Sequence, residues 1–156
     1  MLWKEIEYIK FKTALDCLRE LKKKYAVSLW IEDIFKKKNK KFLNKKKIKL
    51  YRIKVSELGF KKTTTLKNIY KALKKMGFKP VSPEVAIYSR FIYDEQPAGE
   101  WLRIAVPLKS MVDSDKVPHL PKLGKALGKY FLETYWAYDQ AVFHPHNDFI
   151  VEKNDF

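Results

Sequence analysis

The chain has 156 residues, 46% of them apolar and 15% aromatic, and a net charge of +15. That length suits one domain able to bury a core without disulfides or a structural metal, and the composition excludes a disordered chain. One cysteine, Cys17, rules out an internal bridge; no window approaches the roughly 18 apolar residues of a membrane span, and residues 1–30 lack a signal-peptide pattern, so a cytoplasmic location is expected.

The opening MLWKEIEYIKF is rich enough in β-branched and aromatic residues to predict a strand. From Thr13, a natural N-cap, Ala14, Leu15, Leu18, Leu21 and Tyr25 follow a 3.6-residue stripe and predict a helix. Ser28 is a second N-cap, and Leu29, Trp30, Ile34 and Phe35 predict a shorter helix running into a lysine tract. IKLYRIKV (48–55) reads as a strand ended by Gly59, and TTTLKNIYKALKKMG as a helix over 64–76. Beyond Pro83 the pattern becomes β. Val85, Ile87, Phe91 and Tyr93 recur at odd positions, DEQPAG (94–99) supplies turn residues, and Leu102, Ile104 and Val106 alternate with Trp101, Arg103 and Ala105, which together predict an antiparallel hairpin. Residues 109–118 read as a loop, 120–128 as an edge strand, and 130–138 and 148–153 as strands. The order βααβα followed by a β meander predicts a single α+β domain, with helices on one face of a mainly antiparallel sheet.

Charge is unevenly distributed. Residues 1–80 carry 25 basic against 7 acidic side chains, whereas residues 81–156 carry 8 against 11. Nine of the lysines fall in residues 36–49: Lys36, Lys37, Lys38, Lys40, Lys41, Lys45, Lys46, Lys47 and Lys49. Lys67, Lys71, Lys74 and Lys75 line the polar side of the helix over 64–76. This asymmetry points to a DNA or RNA phosphate backbone as partner, with Phe42 and Leu43 holding the middle of the tract against the domain and its lysines near that helix. Only four of the basic residues are arginines, the residue type suited to bidentate base recognition, so backbone contact without sequence readout is the expected mode.

The passage VSELGFKKTTTLKNIYKALKKMGF, the stretch YDEQPAGEWLRIAVPL, the DSD of the next loop and the closing WAYDQAVFHPHNDFIVEK resemble a group of uncharacterised bacterial proteins. Those share an ELGF turn before a helix, a DQPxGEWL-like hairpin and a C-terminal WA strand. Here Glu95 stands between the aspartate and glutamine, and Lys116 follows Asp115 where glycine is expected. The resemblance covers roughly residues 13–153 and implies one compact domain, with no activity attached.

Three further constellations carry chemistry. Arg90, Glu100 and Arg103 on the expected hairpin, with Asp113, Asp115 and His119 in the next loop, offer acid/base groups and cations for a small nuclease or ribonuclease-like toxin; a salt-bridged hairpin and a polar loop are the simpler account. A calcium loop starting at Asp113 fails, because Pro118 and Gly124 occupy the positions that need glycine and glutamate. His144, His146 and Asp148 are metal-ligand types, although Pro145 suits a turn entering a strand. Tyr88, Phe91, Trp101, Tyr135 and Trp136 could stack bases on a sheet, yet an α+β core uses the same residues. Cys17 lies beside an apolar stripe and reads as core, and the first two helices have helix-turn-helix proportions. No nucleotide, serine-hydrolase or zinc signature occurs, so no cofactor is expected. The expectation drawn from all of this is a non-enzymatic nucleic-acid-backbone-binding protein, with a nuclease and a protein-interaction module as alternatives.

Overall fold

The computed structural model describes residues 1–43 and 47–153. The protein is α+β, with helices packed on one side of a mixed, mainly antiparallel sheet. In chain order it runs β1 (Leu2–Ile6), α1 (Ala14–Lys24), β2 (Ala26–Val27), α2 (Leu29–Lys37), β3 (Ile48–Lys54), a 3-10 helix (Val55–Leu58), β4 (Thr64–Thr65), α3 (Leu66–Lys75) and β5 (Phe78–Lys79). It continues with α4 (Pro83–Tyr88), a second 3-10 helix (Ser89–Ile92), β6 (Trp101–Ile104), β7 (His119–Ala126), β8 (Lys129–Trp136), β9 (Val142–Phe143) and β10 (Asp148–Lys153). The main sheet has the order β1-β3-β10-β6-β7-β8-β2, with β5 added beside β10; β4 and β9 form a separate pair. Two contacts are parallel, β10 with β6 and β2 with β8.

The expected caps Thr13 and Ser28 form, and Thr65, the second residue of β4, caps α3, which starts two residues later than expected. Thr13 Oγ1 accepts from the Asp16 N–H at 3.3 Å, Ser28 Oγ from Trp30 at 3.2 Å and Thr65 Oγ1 from Asn68 at 3.3 Å. Gly59 ends the first 3-10 helix at φ 98°, a left-handed conformation that favours glycine over residues with a Cβ. The stripes of α1 and α2 bury Ala14, Cys17, Leu18, Leu21, Ile31, Ile34 and Phe35 in one core cluster with Leu50, Leu102, Leu123, Leu132 and Ile150 of the sheet. Cys17 is therefore core, and burial pushes its thiol up to about 12, which keeps it unreactive. Among the described residues no helix is long and apolar enough to cross a membrane.

The expected hairpin does not form. Residues 83–92 are helical, because Ser82 and Pro83 supply a helix start and the short apolar run Val85-Ala86-Ile87 buries as readily on a helix as on a strand. Trp101–Ile104 instead pairs antiparallel with β7 and parallel with β10. The supposed edge strand β7 is thus internal, between β6 and β8. Pro121 is tolerated there because the β6 ladder ends at Arg103↔Lys122, so its missing N–H interrupts no bond to that neighbour.

Arg90, fully buried, bolts the second 3-10 helix to the sheet. Its guanidinium donates to Gln96 Oε1 (2.8 Å), to the carbonyls of Phe131 (3.1 Å) and Gly124 (3.2 Å), and to that of Tyr93 (2.6 Å). Its charge lies 4.9 Å from the Tyr130 ring and 5.7 Å from that of Tyr25. Gln96, also buried, donates to the carbonyls of Glu100 and Leu123, both at 3.0 Å. Burial pulls the Arg90 pKa down, but an arginine starts so high that it stays charged, here with carbonyls and rings in place of a carboxylate. Replacing Arg90 by Met leaves these carbonyls without a donor, at a cost of about 3 kcal/mol or more. The expected fall in Tm of roughly 6–12 °C is measurable by thermal circular dichroism; an unchanged Tm would remove the bolt from this account.

Candidate nucleic-acid interface

The polar residues that the sequence groups into one acid/base cluster fall into separate networks. Arg90 is structural, as described. Glu100 accepts from the Tyr93 hydroxyl at 2.6 Å and from Arg52 Nη2 at 3.1 Å, and the same Arg52 nitrogen reaches Asp148 at 2.6 Å. Burial and the Glu100 hydrogen bond push the Tyr93 phenol up to about 12, so it remains a donor. Asp148 also accepts from Lys54 at 3.3 Å. That engagement takes Asp148 away from His144 and His146, whose rings stack on each other at 5.3 Å in a turn closed by Asn147. Among the described residues no group of three or more His, Cys, Asp or Glu is placed to hold a metal ion.

Asp113 and His119 do meet. His119 Nε2 lies 2.8 Å from Asp113 Oδ2, and Nδ1 lies 3.1 Å from Thr134 Oγ1. The carboxylate can only accept, so Nε2–H donates to it. Both side chains are 2% exposed, and the Trp30 ring stacks over the imidazole at 5.8 Å. With both ring nitrogens occupied and the ring covered, the pair is a strut that fixes the 113–118 loop to the sheet. Asp113 also accepts from the N–H groups of Asp115 and Val117, while Asp33 of α2 grips Ser114 through two hydrogen bonds of 2.8 and 2.6 Å. The Asp115 residue itself is exposed. Sequence reasoning missed Trp30, Asp33 and Thr134, since no local spacing ties them to the loop.

The lysines divide into two groups. Lys36, Lys37, Lys38, Lys41 and Lys49 are exposed, Lys40 is half-buried, Lys47 is held between Glu5 (3.4 Å) and Glu7 (3.3 Å), and Lys45 and Lys46 lie outside the described residues. Phe42 is half-buried against the core beside Tyr88 at 6.3 Å, as expected, whereas Leu43 is 68% exposed. The tract is tied to α1 and the residues before it: Ala14 N–H donates to Lys40 O, and Phe42 N–H to Lys12 O. Lys67, Lys71, Lys74 and Lys75 stand exposed on α3, whose main neighbours are β4, β5 and the first 3-10 helix. No hydrogen bond, ion pair or ring contact joins the two groups among the described residues.

A third surface lies on the sheet. Side chains alternate across a strand, so Leu102, Leu123 and Leu132 enter the core, and the residues between them face the other way. The register sets Trp101, Gly124 and Phe131 in one row, Arg103, Lys122 and Glu133 in the next, and Leu120 and Tyr135 in a third. Trp101 lies flat on Gly124, where an added Cβ would come within 2.1 Å of the indole. Its ring centroid is 6.1 Å from that of Phe131. Lys122 Nζ sits 4.8 Å from the Trp101 ring and 5.6 Å from Tyr135, and the Arg103 guanidinium 5.2 Å from Tyr135 and 5.5 Å from Phe143. Neither cation forms an ion pair among the described residues, and Arg103 Nε has no hydrogen-bond partner. Burial lowers both pKa values, and the Arg103 charge lowers that of Lys122 further, while Glu133 raises it. Of the expected base-stacking residues, Trp101 and Tyr135 belong to this surface. Tyr88 and Phe91 instead join a ring cluster with Phe11, and Trp136 sits on a row with His119. The alternation that sends Arg103 and Lys122 outward is legible in the sequence; their adjacency depends on the β6–β7 pairing and is not.

The chain matches no protein-family model, no curated protein and no solved structure.

The strut sets a pH signature. The hydrogen bond from His119, supported by those from Val117 and Asp115, holds Asp113 below the usual carboxylate range. A depressed carboxylate contributes stability above its unfolded pKa, about 4, and loses it as pH falls through the folded value. The stability gap between the parent and Asp113→Asn, measured by urea unfolding, is therefore expected to be largest at neutral pH and to narrow steadily below about pH 4.

Proposed function

We propose that the protein binds single-stranded nucleic acid across the outward face of β6, β7 and β8, without sequence readout and without catalysis. The ligand class is the one expected from the charge distribution; the contact moves from the lysine tract to the sheet. The observation that carries the reading is the Arg103–Lys122 pair: two neighbouring, partly buried cations, set among aromatic rings, that form no ion pair among the described residues although Glu133 stands across the strand from Lys122. Two like charges in a half-dry setting repel, and a phosphodiester bridging them relieves the repulsion. Trp101, held flat by Gly124, and Phe131 beside it present ring faces on which any base can stack. The net charge of +15, with the exposed tract lysines contributing, draws polyanions toward the molecule at low salt.

Stacking of a base on an aromatic ring is worth about 1–3 kcal/mol, so Trp101→Ala is expected to weaken binding of a fluorescein-labelled uridine oligomer by roughly one to two orders of magnitude in an anisotropy titration. Gly124→Ala should have an effect of the same sign by displacing the indole. Arg103→Gln with Lys122→Gln removes two phosphate contacts and lowers the slope of log affinity against log salt by about 1.4 on a single strand. A duplex of equal length, whose bases are closed to the rings, should bind more weakly than the single strand. Equal affinity for both, together with no effect of Trp101→Ala, would leave the sheet face without this role.

A further inference from the structure

α3 borders a cavity of about 490 Å³, a volume typical of small-ligand sites. Its apolar lining comes from Tyr70, Leu73, Phe78 and Leu108. Around it stand Lys67, Lys71, Lys74 and Lys79, all exposed, none in an ion pair among the described residues, and no acidic residue lines the cavity. Lys67, Lys71 and Lys74 lie at i, i+4 and i+7, one stripe of α3, so three ammonium groups overlook the same opening.

The polar groups of the lining are already committed. The Tyr70 hydroxyl donates to the Val106 carbonyl, and burial pushes its pKa up, so it stays a protonated donor to that oxygen. The Ala105 N–H donates to Ile150 O at 2.9 Å, and the Ala105 carbonyl accepts from Val81 at 2.8 Å. A nucleobase or sugar buried here would find these donors and acceptors spent, which costs free energy for every unpaired polar atom. An alkyl chain has no such requirement, and the lysines complement an anionic head at its end. We infer that this cavity binds a single-chain amphiphile with one carboxylate head, a medium- or long-chain fatty acid, with the tail on Tyr70, Leu73, Phe78 and Leu108 and the head among the lysines of α3 and β5. The site is separate from the sheet face proposed for nucleic acid and stands or falls independently of it.

Isothermal titration of the full chain with laurate below its micellar concentration tests this. Saturable one-to-one binding is expected, at least tenfold tighter than that of butyrate, which lacks the tail, or of dodecanol, which lacks the charge. The Lys67→Gln, Lys71→Gln, Lys74→Gln triple variant should lose at least tenfold in laurate affinity with an unchanged Tm, and Leu108→Gln should also weaken it, while Trp101→Ala leaves it intact. Three results would overturn the inference: laurate binding no better than butyrate, laurate binding indifferent to the lysine triple, or sedimentation with anionic phosphatidylglycerol vesicles without binding of monomeric laurate. Loss of uridine-oligomer binding in the lysine triple, with no laurate binding by the parent, would give these lysines to the nucleic acid instead.

Discussion

The Arg90–Gln96 pair ties the loop and the 3-10 helix before β6 to the strands β7 and β8 from inside the core. Arg90 gathers the carbonyls of Tyr93, Gly124 and Phe131, and Gln96 those of Glu100 and Leu123, so a loop, a 3-10 helix and the strands β7 and β8 converge on two side chains. A buried guanidinium without a carboxylate is costly unless its N–H groups are met, and here four acceptors meet Nη1 and Nη2 and two aromatic rings flank the charge, while Nε is left without a hydrogen-bond partner. The arrangement fixes where Gly124 and Phe131 stand, and through Gly124 the attitude of Trp101. The aromatic row on the outward face therefore depends on a cation buried behind it.

Charged groups are treated in opposite ways on the two sides of the sheet. Toward the core and its margins they are saturated: Arg52 bridges Glu100 and Asp148, and His119 spans Asp113 and Thr134. Groups satisfied in this way rigidify a fold and have little left to offer a substrate. On the outward face Arg103 and Lys122 are half-withdrawn from water and form no ion pair among the described residues, with Glu133 across the strand as the carboxylate in their row. This unspent capacity, more than the number of lysines, is what makes the sheet face a candidate ligand surface.

Local signals in the sequence carry most of the fold. Thr13 and Ser28 cap helices where their side chains predict, and β3, β8 and β10 fall where β-branched and aromatic residues cluster. The failure at 83–92 has a physical cause: Val85, Ile87, Phe91 and Tyr93 mimic strand alternation, but the buried Ala86 and Arg90 between them show that the neighbours are inside too. Losing that strand freed β6 to pair with β7 and β10, and every site inference drawn from the hairpin moved with it. Asp113 and His119 were close enough in sequence to be grouped correctly, whereas Thr134 and Trp30 reach them only through tertiary structure. The lysine tract was the loudest feature of the sequence, yet Arg103 and Lys122, nineteen positions apart, are the pair that the pleat brings side by side.

The position of β10 has a consequence for how the molecule comes into being. It lies between β3 and β6, joining the strand of residues 48–54 to that of 101–104, and its Phe149, Ile150 and Val151 are buried. On the ribosome, the first 140 or so residues emerge before this wedge exists, leaving β3 and β6 with bare edges facing a missing neighbour. The sheet can be closed only after residues 148–153 have been made, so its last step is one in which a late segment must find a slot between two earlier ones.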